Sequence, residues 1–244
     1  MRLGTRWILT LAIGLVCKAS IAQADWEAKA LTSNPKVKID SYIRVKQARV
    51  RYDMNHANTE VENPKGKSTV DAGGKSFIID SKGSKTWMLM PQSKTALEMD
   101  LRGSPAQGFL CMYEQGSIDA CYQKLGFQKV KEEVSHGHPC VVYKGQIEFM
   151  GKKKVYWVWR PKDLPEVSMV RSATFDPKLN GWTQTDIVDI KTAAQGDEYF
   201  QVPSDYHVTK MSAQGALENA GAALQGTGKS ALKGMFGGLK LPGQ

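Results

Sequence analysis

The sequence contains no apolar run of the ~20 residues that a membrane-spanning helix needs. One apolar stretch, Trp7–Val16, is much shorter. It follows the basic segment Met1–Arg6 and precedes Ala22-Gln23-Ala24, the small-x-small pattern that signal peptidase cuts. This order predicts a cleavable signal peptide over residues 1–24 and export to the bacterial periplasm. Nucleotide cofactors and reduced thiols are not expected there, which excludes most cytoplasmic enzyme classes.

A second processing route, lipid attachment, would use Cys17 inside the same leader. Lipoprotein signals require a small residue before the modified cysteine, and this position holds the branched Val16. The sequence therefore favours a soluble exported protein that begins near Asp25 over a lipid-anchored one.

Recognisable catalytic motifs are also missing. The chain has no G-x-S-x-G, H-E-x-x-H or C-x-x-C pattern, and its carboxylates are scattered without visible pairing. Active sites also assemble from distant residues, so this absence does not exclude catalysis. It does favour a binding role without a cofactor over an enzyme.

A strong excess of one charge is absent as well. The full chain has a formal net charge of +9, and removal of Arg2, Arg6 and Lys18 with the leader leaves +6. The remaining basic residues are spread along the chain, including one cluster, Gly151-Lys152-Lys153-Lys154, at a predicted hairpin. This distribution argues against a nucleic-acid interface and is compatible with weak attraction to anionic lipid headgroups.

Cysteine is scarce, with four residues in the chain, one of them in the leader. In an oxidising compartment the nearest pair in sequence, Cys111 and Cys121, is the predicted disulfide, although sequence alone does not fix the connectivity. Cys140 is then left over. We interpret it as a small buried hydrophobic residue at the start of a strand.

The segment His136-Gly137-His138-Pro139-Cys140 offers a candidate metal site. Alternate residues of an extended chain share a face, so two imidazoles and a thiolate are placed to bind zinc or copper. However, Gly137 and Pro139 favour a turn that leads into a strand, and no fourth ligand lies nearby in the sequence. We therefore predict no metal site, and keep His136, His138 and Cys140 as the basis of a weaker metal-binding or enzymatic hypothesis.

The central part of the chain alternates between strand and turn patterns. Residues 37–101 predict an antiparallel meander that is interrupted by a polar loop over Asn55–Ser68. Apolar residues at three- and four-residue steps between residues 104 and 127 predict one or two short helices, joined by the candidate disulfide. Later strands, with an Asn180-Gly181 hairpin turn between the last two, are predicted over Val130–Val134, Cys140–Met150, Lys154–Trp159, Val167–Phe175 and Trp182–Ile190.

The composition changes near the end of the chain, where Gly, Ala and Lys dominate. Eight glycines between Gly215 and Gly243 disfavour a stable isolated helix. We predict a disordered tail over residues 208–244, with an amphipathic helix at a lipid interface as the alternative. No composition break or internal repeat divides residues 25–207, which predicts a single β domain.

Several short motifs of this domain form a familiar set: Val50-Arg51-Tyr52-Asp53-Met54, Ile78-Ile79-Asp80, Thr86–Pro91 with Lys94, Gly137–Tyr143, Val155–Arg160 and Phe200-Gln201-Val202-Pro203. Over about residues 37–207 they resemble exported half-barrel proteins of the outer-membrane lipoprotein carrier superfamily. The likeness is closer to a related, uncharacterised bacterial periplasmic domain family. The resemblance implies an α+β, mainly β fold, in which a strongly curved antiparallel sheet wraps around one or two short helices. It also implies an apolar cavity between them, because carriers of this kind bind acyl chains without catalytic residues.

We therefore predict a monomeric, non-enzymatic periplasmic protein that shelters a lipid or other hydrophobic ligand in an apolar cavity. Six apolar residues of predicted strands are the candidate lining: Trp87, Leu89, Trp157, Trp159, Met169 and Ile187. Core packing is the simpler explanation for each of them, because the sequence does not show which face of the sheet they occupy. The alternative is a structural or protein-interaction β domain of the cell envelope without a small ligand. Its partner would be an envelope protein or the membrane surface.

Overall fold

A computed structural model describes residues 24–63, 66–71, 73–103, 105–113, 118–149, 152–177 and 179–212. The predicted signal peptide up to residue 23 and the predicted tail beyond Ser212 lie outside these residues. The thirteen strands are β1 (Trp26–Ser33), β2 (Val37–Lys46), β3 (Arg49–Asn63), β4 (Gly66–Asp71), β5 (Lys75–Asp80), β6 (Lys85–Met90), β7 (Thr95–Asp100), β8 (Gln128–Ser135), β9 (His138–Phe149), β10 (Lys152–Pro161), β11 (Arg171–Asp176), β12 (Gly181–Thr192) and β13 (His207–Ser212). The described residues also contain one α-helix, α1 (Ile118–Lys124), and three 3-10 segments, Pro91–Ser93, Pro105–Tyr113 and Asp197–Phe200.

The strands form one open, curved sheet. Its order is β13-β7-β6-β5-β3-β2-β1-β12-β11-β10-β9-β8, and β4 branches off as a partner of β3. Two antiparallel meanders, one from β1 to β7 and one from β8 to β12, join where β1 pairs with β12. The predicted mainly β, half-barrel fold is thus confirmed.

One strand pair is parallel. Residues His207–Ser212 of β13 pair with Thr95–Asp100 of β7 in parallel register. The backbone N–H of His207 also donates to the carbonyl of Lys94 over 2.8 Å. The sequence patterns did not predict this pairing, and residues 208–212, which they assign to the disordered tail, belong to the last strand of the sheet.

The prediction of a polar loop over Asn55–Ser68 is wrong. β3 continues to Asn63, and residues Asn58–Asn63 pair with Gly66–Asp71 of β4. The carboxylate of Asp71 holds the base of this ribbon, because it accepts the backbone N–H groups of Ala57 at 2.9 Å and Gly73 at 2.8 Å. The alternation of apolar and polar residues that identifies half-buried strands is missing in this segment, so the sequence did not predict the strand pair.

The predicted short helices and their disulfide are confirmed. The 3-10 segment Pro105–Tyr113 and α1 are linked by the Cys111–Cys121 disulfide. The ring of Tyr122 in α1 stacks on Tyr143 of β9, with 4.9 Å between the ring centroids, so α1 covers one face of the sheet. Among the described residues, no helix is long and apolar enough to cross a membrane.

The hairpin between β11 and β12 is confirmed, with one shift in the preceding strand. Asn180 adopts a positive φ of 44°, as the Asn-Gly turn predicts. A Cβ at Gly181 would lie 2.4 Å from Cγ of Pro35, so only glycine fits at this approach to the β1–β2 turn. β11 begins at Arg171, and residues 167–170 therefore belong to the segment that precedes it.

Candidate functional site

The pairing registers divide the side chains of the sheet between two faces. Side chains alternate along a strand, and directly paired residues share a face. Ile43 of β2 pairs with Tyr52 of β3, whereas the adjacent Arg44 pairs with Arg51 on the opposite side. We call the face that carries Ile43, Tyr52 and the Tyr143 ring beneath α1 the inner face, and the other the outer face. The inner face of β2 and β3 is apolar here, and the outer face is charged.

The inner face forms the floor of a cavity with a volume of about 380 Å³. Strands β1, β2, β3, β5, β6 and β12 contribute to the floor, and Tyr113 of the helical cover and the segment before β11 lie over part of it. The twelve lining residues are Trp26, Ile43, Val50, Tyr52, Phe77, Ile79, Thr86, Tyr113, Ser168, Met169, Thr185 and Ile187. Several of them belong to, or pack against, a buried cluster built on β1, β2 and β3.

Two roof residues, Ser168 and Met169, lie in the segment between β10 and β11. The hydroxyl of Tyr122 in α1 donates to the backbone carbonyl of Ser168 over 2.8 Å. The backbone carbonyl of Val170, two residues further along the chain, accepts the backbone N–H of Ile187 over 2.8 Å. The roof segment is therefore tied to both the helix above it and the sheet below it.

The cavity lining contains polar groups but no charged side chain, because none of its residues is Asp, Glu, Lys, Arg or His. Trp26 is only 4% exposed, and its indole N–H has no hydrogen-bond partner among the described residues. Burial raises the pKa of Tyr113, and the neighbouring Tyr52 adds to this effect. Such a site accepts apolar groups and uncharged polar groups, and disfavours ions.

The structure brings two of the six predicted lining residues, Met169 and Ile187, into this cavity. Trp87 and Leu89 lie instead on the outer face of β6, where they pair with Ile78 and Ser76 of β5, away from the cavity. Leu89 belongs to a separate buried cluster against which Trp87, Val202 and Tyr206 pack.

The two remaining predicted residues, Trp157 and Trp159, also lie on the outer face. The Nζ of Lys144 lies 4.9 Å from the ring centroid of Trp157. The indole N–H of Trp159 donates to the carboxylate of Glu133, and its ring lies 5.7 Å from the guanidinium carbon of Arg171. Both tryptophans thus form contacts on the side of the sheet opposite the cavity.

Sequence reasoning missed most of the lining, although one signal pointed to it. In Val50-Arg51-Tyr52-Asp53 the apolar residues alternate with charged ones, which assigns Val50 and Tyr52 to the buried face of β3. In β6 (Lys85–Met90) apolar residues occupy both faces, so alternation cannot tell which of them lines a cavity.

The three weak metal candidates do not converge. His136 Nε2 lies 2.7 Å from Asp186 Oδ1, and His138 Nδ1 lies 2.9 Å from Asp163 Oδ2, so each imidazole pairs with a different carboxylate. Cys140 is buried, and desolvation raises the pKa of its thiol. The described residues hold no group of three or more His, Cys, Asp or Glu side chains that is arranged for a metal ion.

A larger groove, of about 640 Å³, lies on the outer face of β2, β3 and β5. Its charges are matched internally: the carboxylate of Asp53 accepts hydrogen bonds from Arg44 and Arg51, both over 2.7 Å. The guanidinium of Arg44 also lies 4.6 Å and 4.5 Å from the ring centroids of Tyr42 and Tyr199. These side chains satisfy one another, which favours a structural role for the groove.

The outer face also carries an exposed apolar patch, formed by Val155, Phe175 and Trp182 on the adjacent strands β10, β11 and β12. Their exposed fractions are 41%, 40% and 51%. Phe175 and Trp182 are paired across β11 and β12, with their ring centroids 5.6 Å apart in an edge-on arrangement. The β10–β11 register places Val155 beside Phe175.

Comparison with known proteins finds no matching family model and no matching curated protein. Among solved structures, an uncharacterised conserved protein from Thermus thermophilus is similar, with 10% identity and a TM-score of 0.49. The match covers 78% of this chain and 91% of that one. A LolA superfamily protein from Nitrosomonas europaea has 11% identity and a TM-score of 0.37, over 73% of this chain and 90% of that one.

A third similar structure is the Pseudomonas aeruginosa MucA/MucB complex. It shows 12% identity and a TM-score of 0.41, and the match covers 78% of this chain and 59% of that one. The solved structures that resemble this chain thus include a LolA superfamily protein, as the resemblance in the sequence implies. At this level of identity the likeness concerns the fold alone, so the function has to be argued from the side chains of this chain.

Proposed function

We propose that this chain is an exported, non-enzymatic binding protein that shelters a lipid or other hydrophobic ligand in the inner-face cavity. The observation that carries this proposal is a cavity of about 380 Å³ whose lining has no charged side chain. Small-molecule sites typically have volumes of ~300–1,000 Å³ and are mostly apolar, with a few polar groups that fix orientation. The cavity matches that description in size and in composition.

Burial of hydrocarbon would drive the binding, and no covalent chemistry is needed. Each buried CH₂ contributes about 0.8 kcal/mol, which corresponds to about a fourfold change in Kd. In a series of straight-chain alcohols, the affinity should therefore rise by about fourfold per added methylene until the chain fills the cavity. An affinity that does not depend on chain length would contradict the proposal.

The periplasm is the proposed compartment. The Cys111–Cys121 disulfide supports export, because stable disulfides form mainly in oxidising compartments. The signal-peptide pattern over residues 1–24 supports the same proposal, and N-terminal sequencing of the protein from the periplasmic fraction would test it. A mature chain that begins at or near Asp25 is the expected result, and an uncleaved chain in the cytoplasm would refute it.

A matched pair of substitutions tests the location of the site. Ile79 lines the cavity from the inner face of β5, so Ile79→Phe adds volume where the ligand would lie. Val208 lies on the outer face of β13 and is 41% exposed, so Val208→Phe adds the same bulk without touching the cavity. We expect Ile79→Phe to weaken the binding of Nile red at least tenfold and Val208→Phe to leave it unchanged. Equal effects would place the binding elsewhere.

We also propose an anionic membrane surface as a partner, because the outer-face patch of Val155, Phe175 and Trp182 combines exposed apolar groups with nearby lysines. Lys153, from the predicted basic cluster, precedes Val155 on β10 by two residues and is exposed. The exposed Lys38 of β2 also lies on the outer face, because it pairs with Ser33 of β1, which in turn pairs with Gln184 of β12. Tryptophan and lysine are both favoured at the headgroup level of a bilayer.

Vesicle sedimentation tests this second proposal. Vesicles that contain phosphatidylglycerol should bind the protein more strongly than vesicles of phosphatidylcholine alone, and Trp182→Ser should reduce the bound fraction. Val134→Ser is the matched control, because Val134 is an exposed apolar residue on the distant edge strand β8. Equal losses in both variants, or no preference for anionic vesicles, would favour a protein partner over a membrane.

A further inference from the structure

The hydroxyl groups of the inner-face cavity differ in whether the protein itself binds them. Five residues of the lining carry a hydroxyl: Tyr52, Thr86, Tyr113, Ser168 and Thr185. The hydroxyl of Thr86 donates to the backbone carbonyl of Ile78 over 2.9 Å, and the hydroxyl of Thr185 lies 2.8 Å from that of Thr32. The other three hydroxyls have no hydrogen-bond partner in the part of the chain that the structure describes.

The unpartnered hydroxyls of Tyr52 and Tyr113 are open to the cavity. Both residues are half-buried and line it. Among the described residues, four buried side-chain atoms are enclosed by protein and lack a partner: Trp26 Nε1, Ser41 Oγ, Ser135 Oγ and Arg160 Nε. Neither phenol oxygen is one of these four, so both oxygens remain accessible to a guest molecule. A polar group in an apolar site gains most from a guest that supplies its missing hydrogen bond.

The two tyrosines approach the cavity from the floor and from the cover. Tyr52 lies on the floor between Ile43 of β2 and Phe77 of β5, which pair with it directly and also line the cavity. Tyr113 ends the 3-10 segment of the cover, two residues after Cys111, whose disulfide ties this segment to α1. Both rings pack against the same buried cluster, and Tyr52 contributes to the raised pKa of Tyr113, so the two hydroxyls are neighbours. Groups that are held in place before a ligand arrives lower the entropic cost of binding.

Two neighbouring hydroxyls suit one kind of polar group. A carbonyl oxygen has two lone pairs, so it can accept a hydrogen bond from each phenol. Desolvation raises the pKa of Tyr113, which keeps its hydroxyl protonated and able to donate. A carboxylate fits less well, because the lining contains no cation and the anion would lose its hydration without gaining a counter-charge.

We propose that the hydroxyls of Tyr52 and Tyr113 form the polar end of the cavity and donate together to an uncharged carbonyl oxygen of the ligand. This inference rests on the proposed function and specifies its ligand class, a hydrophobic ester, amide or ketone whose polar group lies inside the protein. The hydrocarbon part of the ligand lies along the apolar remainder of the floor. The cavity therefore discriminates against free fatty-acid anions and against hydrocarbons without an acceptor.

Three probes of similar chain length test the proposal: methyl octanoate, sodium octanoate and nonane. Their affinities are measured at pH 7.5 by displacement of Nile red, and those of the two neutral probes are compared with their partition from water into hexadecane. This comparison removes the difference in hydrophobicity between the neutral probes. In the wild type, methyl octanoate should bind more tightly than its partition predicts, nonane should follow its partition, and octanoate should bind more weakly than its ester.

Conservative variants test the two hydroxyls directly. Tyr52→Phe and Tyr113→Phe keep the ring and remove only the hydroxyl, so each should weaken methyl octanoate about fivefold and leave nonane unchanged. Tyr156→Phe is the matched control. Tyr156 lies on the inner face of β10 and packs against the cluster beneath α1, but it does not line the cavity. This variant should change neither affinity.

The outcomes separate this inference from the function on which it rests. If methyl octanoate binds no better than its partition predicts, or if the tyrosine variants weaken methyl octanoate and nonane alike, the role of the hydroxyls is refuted and the cavity remains a ligand site. If octanoate binds as tightly as its ester, the preference for an uncharged carbonyl is refuted. If none of the three probes displaces Nile red, the proposed function fails together with this inference. The comparison of probes on the wild type needs no variant, so it decides the question even if a variant does not fold.

Discussion

The hydroxyl of Tyr122 donates a hydrogen bond of 2.8 Å to the backbone carbonyl of Ser168, and both groups are buried. This bond joins the α-helix to the segment that carries Met169 over the cavity. It links the helical cover directly to the roof, so the helix contributes to the shape of the cavity as well as to the stability of the fold.

Tyr122→Phe should lower the free energy of unfolding by about 1–3 kcal/mol, because it leaves the buried carbonyl of Ser168 without its donor. Urea denaturation followed by tryptophan fluorescence measures the change. Tyr143→Phe is the control: the Tyr143 hydroxyl donates to Asp119, whose carboxylate is 43% exposed and keeps Arg160 as a second partner, so its loss should cost less. An equal or larger loss in the control would show that the Tyr122 bond has no special role.

The Cys111–Cys121 disulfide joins two residues that are ten positions apart in the sequence. A loop of this length predicts a stabilisation of about 2–3 kcal/mol, mainly through the unfolded chain. The double variant Cys111→Ser/Cys121→Ser should lose this amount in urea denaturation. Dithiothreitol should destabilise the wild type to a similar extent and leave the double variant unaffected. Because the mature double variant retains only Cys140, sensitivity of this variant would point to a disulfide between two chains.

The lowered pKa of Asp71 predicts that the free energy of unfolding decreases at acidic pH. Hydrogen bonds from the backbone N–H groups of Ala57 and Gly73, and then from His56, lower the pKa of this carboxyl from 3.8 to about 2. Because the folded-state pKa is depressed, the stabilisation is fully present above about pH 4 and is lost as the pH falls through about 2. Unfolding measured between pH 5 and pH 2 should show this loss in the wild type and a smaller one in Asp71→Asn. Identical pH profiles would contradict the assignment.

Trp26→Phe should not destabilise the ligand-free protein, since it removes a buried donor that has no partner among the described residues. An unsatisfied buried donor costs about 1–3 kcal/mol, which offsets the cavity left by the smaller ring, so the variant should be about as stable as the wild type. Trp159→Phe loses the hydrogen bond to Glu133 and should be less stable. Thermal unfolding of delipidated samples measures both, and a large loss in Trp26→Phe alone would mean that the indole has a partner in the folded protein.

Features encoded by local chemistry were predictable from the sequence. The Asn180-Gly181 turn follows from the positive φ that this pair tolerates, and the short helices follow from the change of period after Ser104. The Cys111–Cys121 pairing was the simplest choice for an oxidising compartment and is present. Each of these depends on residues that are close together in the chain.

Features that depend on distant contacts were not predictable. The sequence pattern did not predict β1, because this strand depends on its pairing with β12, which is distant in the sequence. The parallel pairing of β13 with β7 also joins distant segments. The sequence predicted the strand that carries Trp157 and Trp159, but not the face of the sheet on which their rings lie. Because β10 is apolar on both faces, only the register shows that both rings lie on the outer face.

The central claim is that the inner-face cavity holds a hydrophobic guest, and native mass spectrometry of the mature protein, purified from its host without detergent, tests it most directly. We expect a bound species with the mass of a lipid or other hydrophobic ligand, which Ile79→Phe greatly reduces and Val208→Phe retains. A bare protein mass in the wild type, together with no uptake of Nile red, would contradict the claim. In that case an envelope domain that interacts through its outer face would remain.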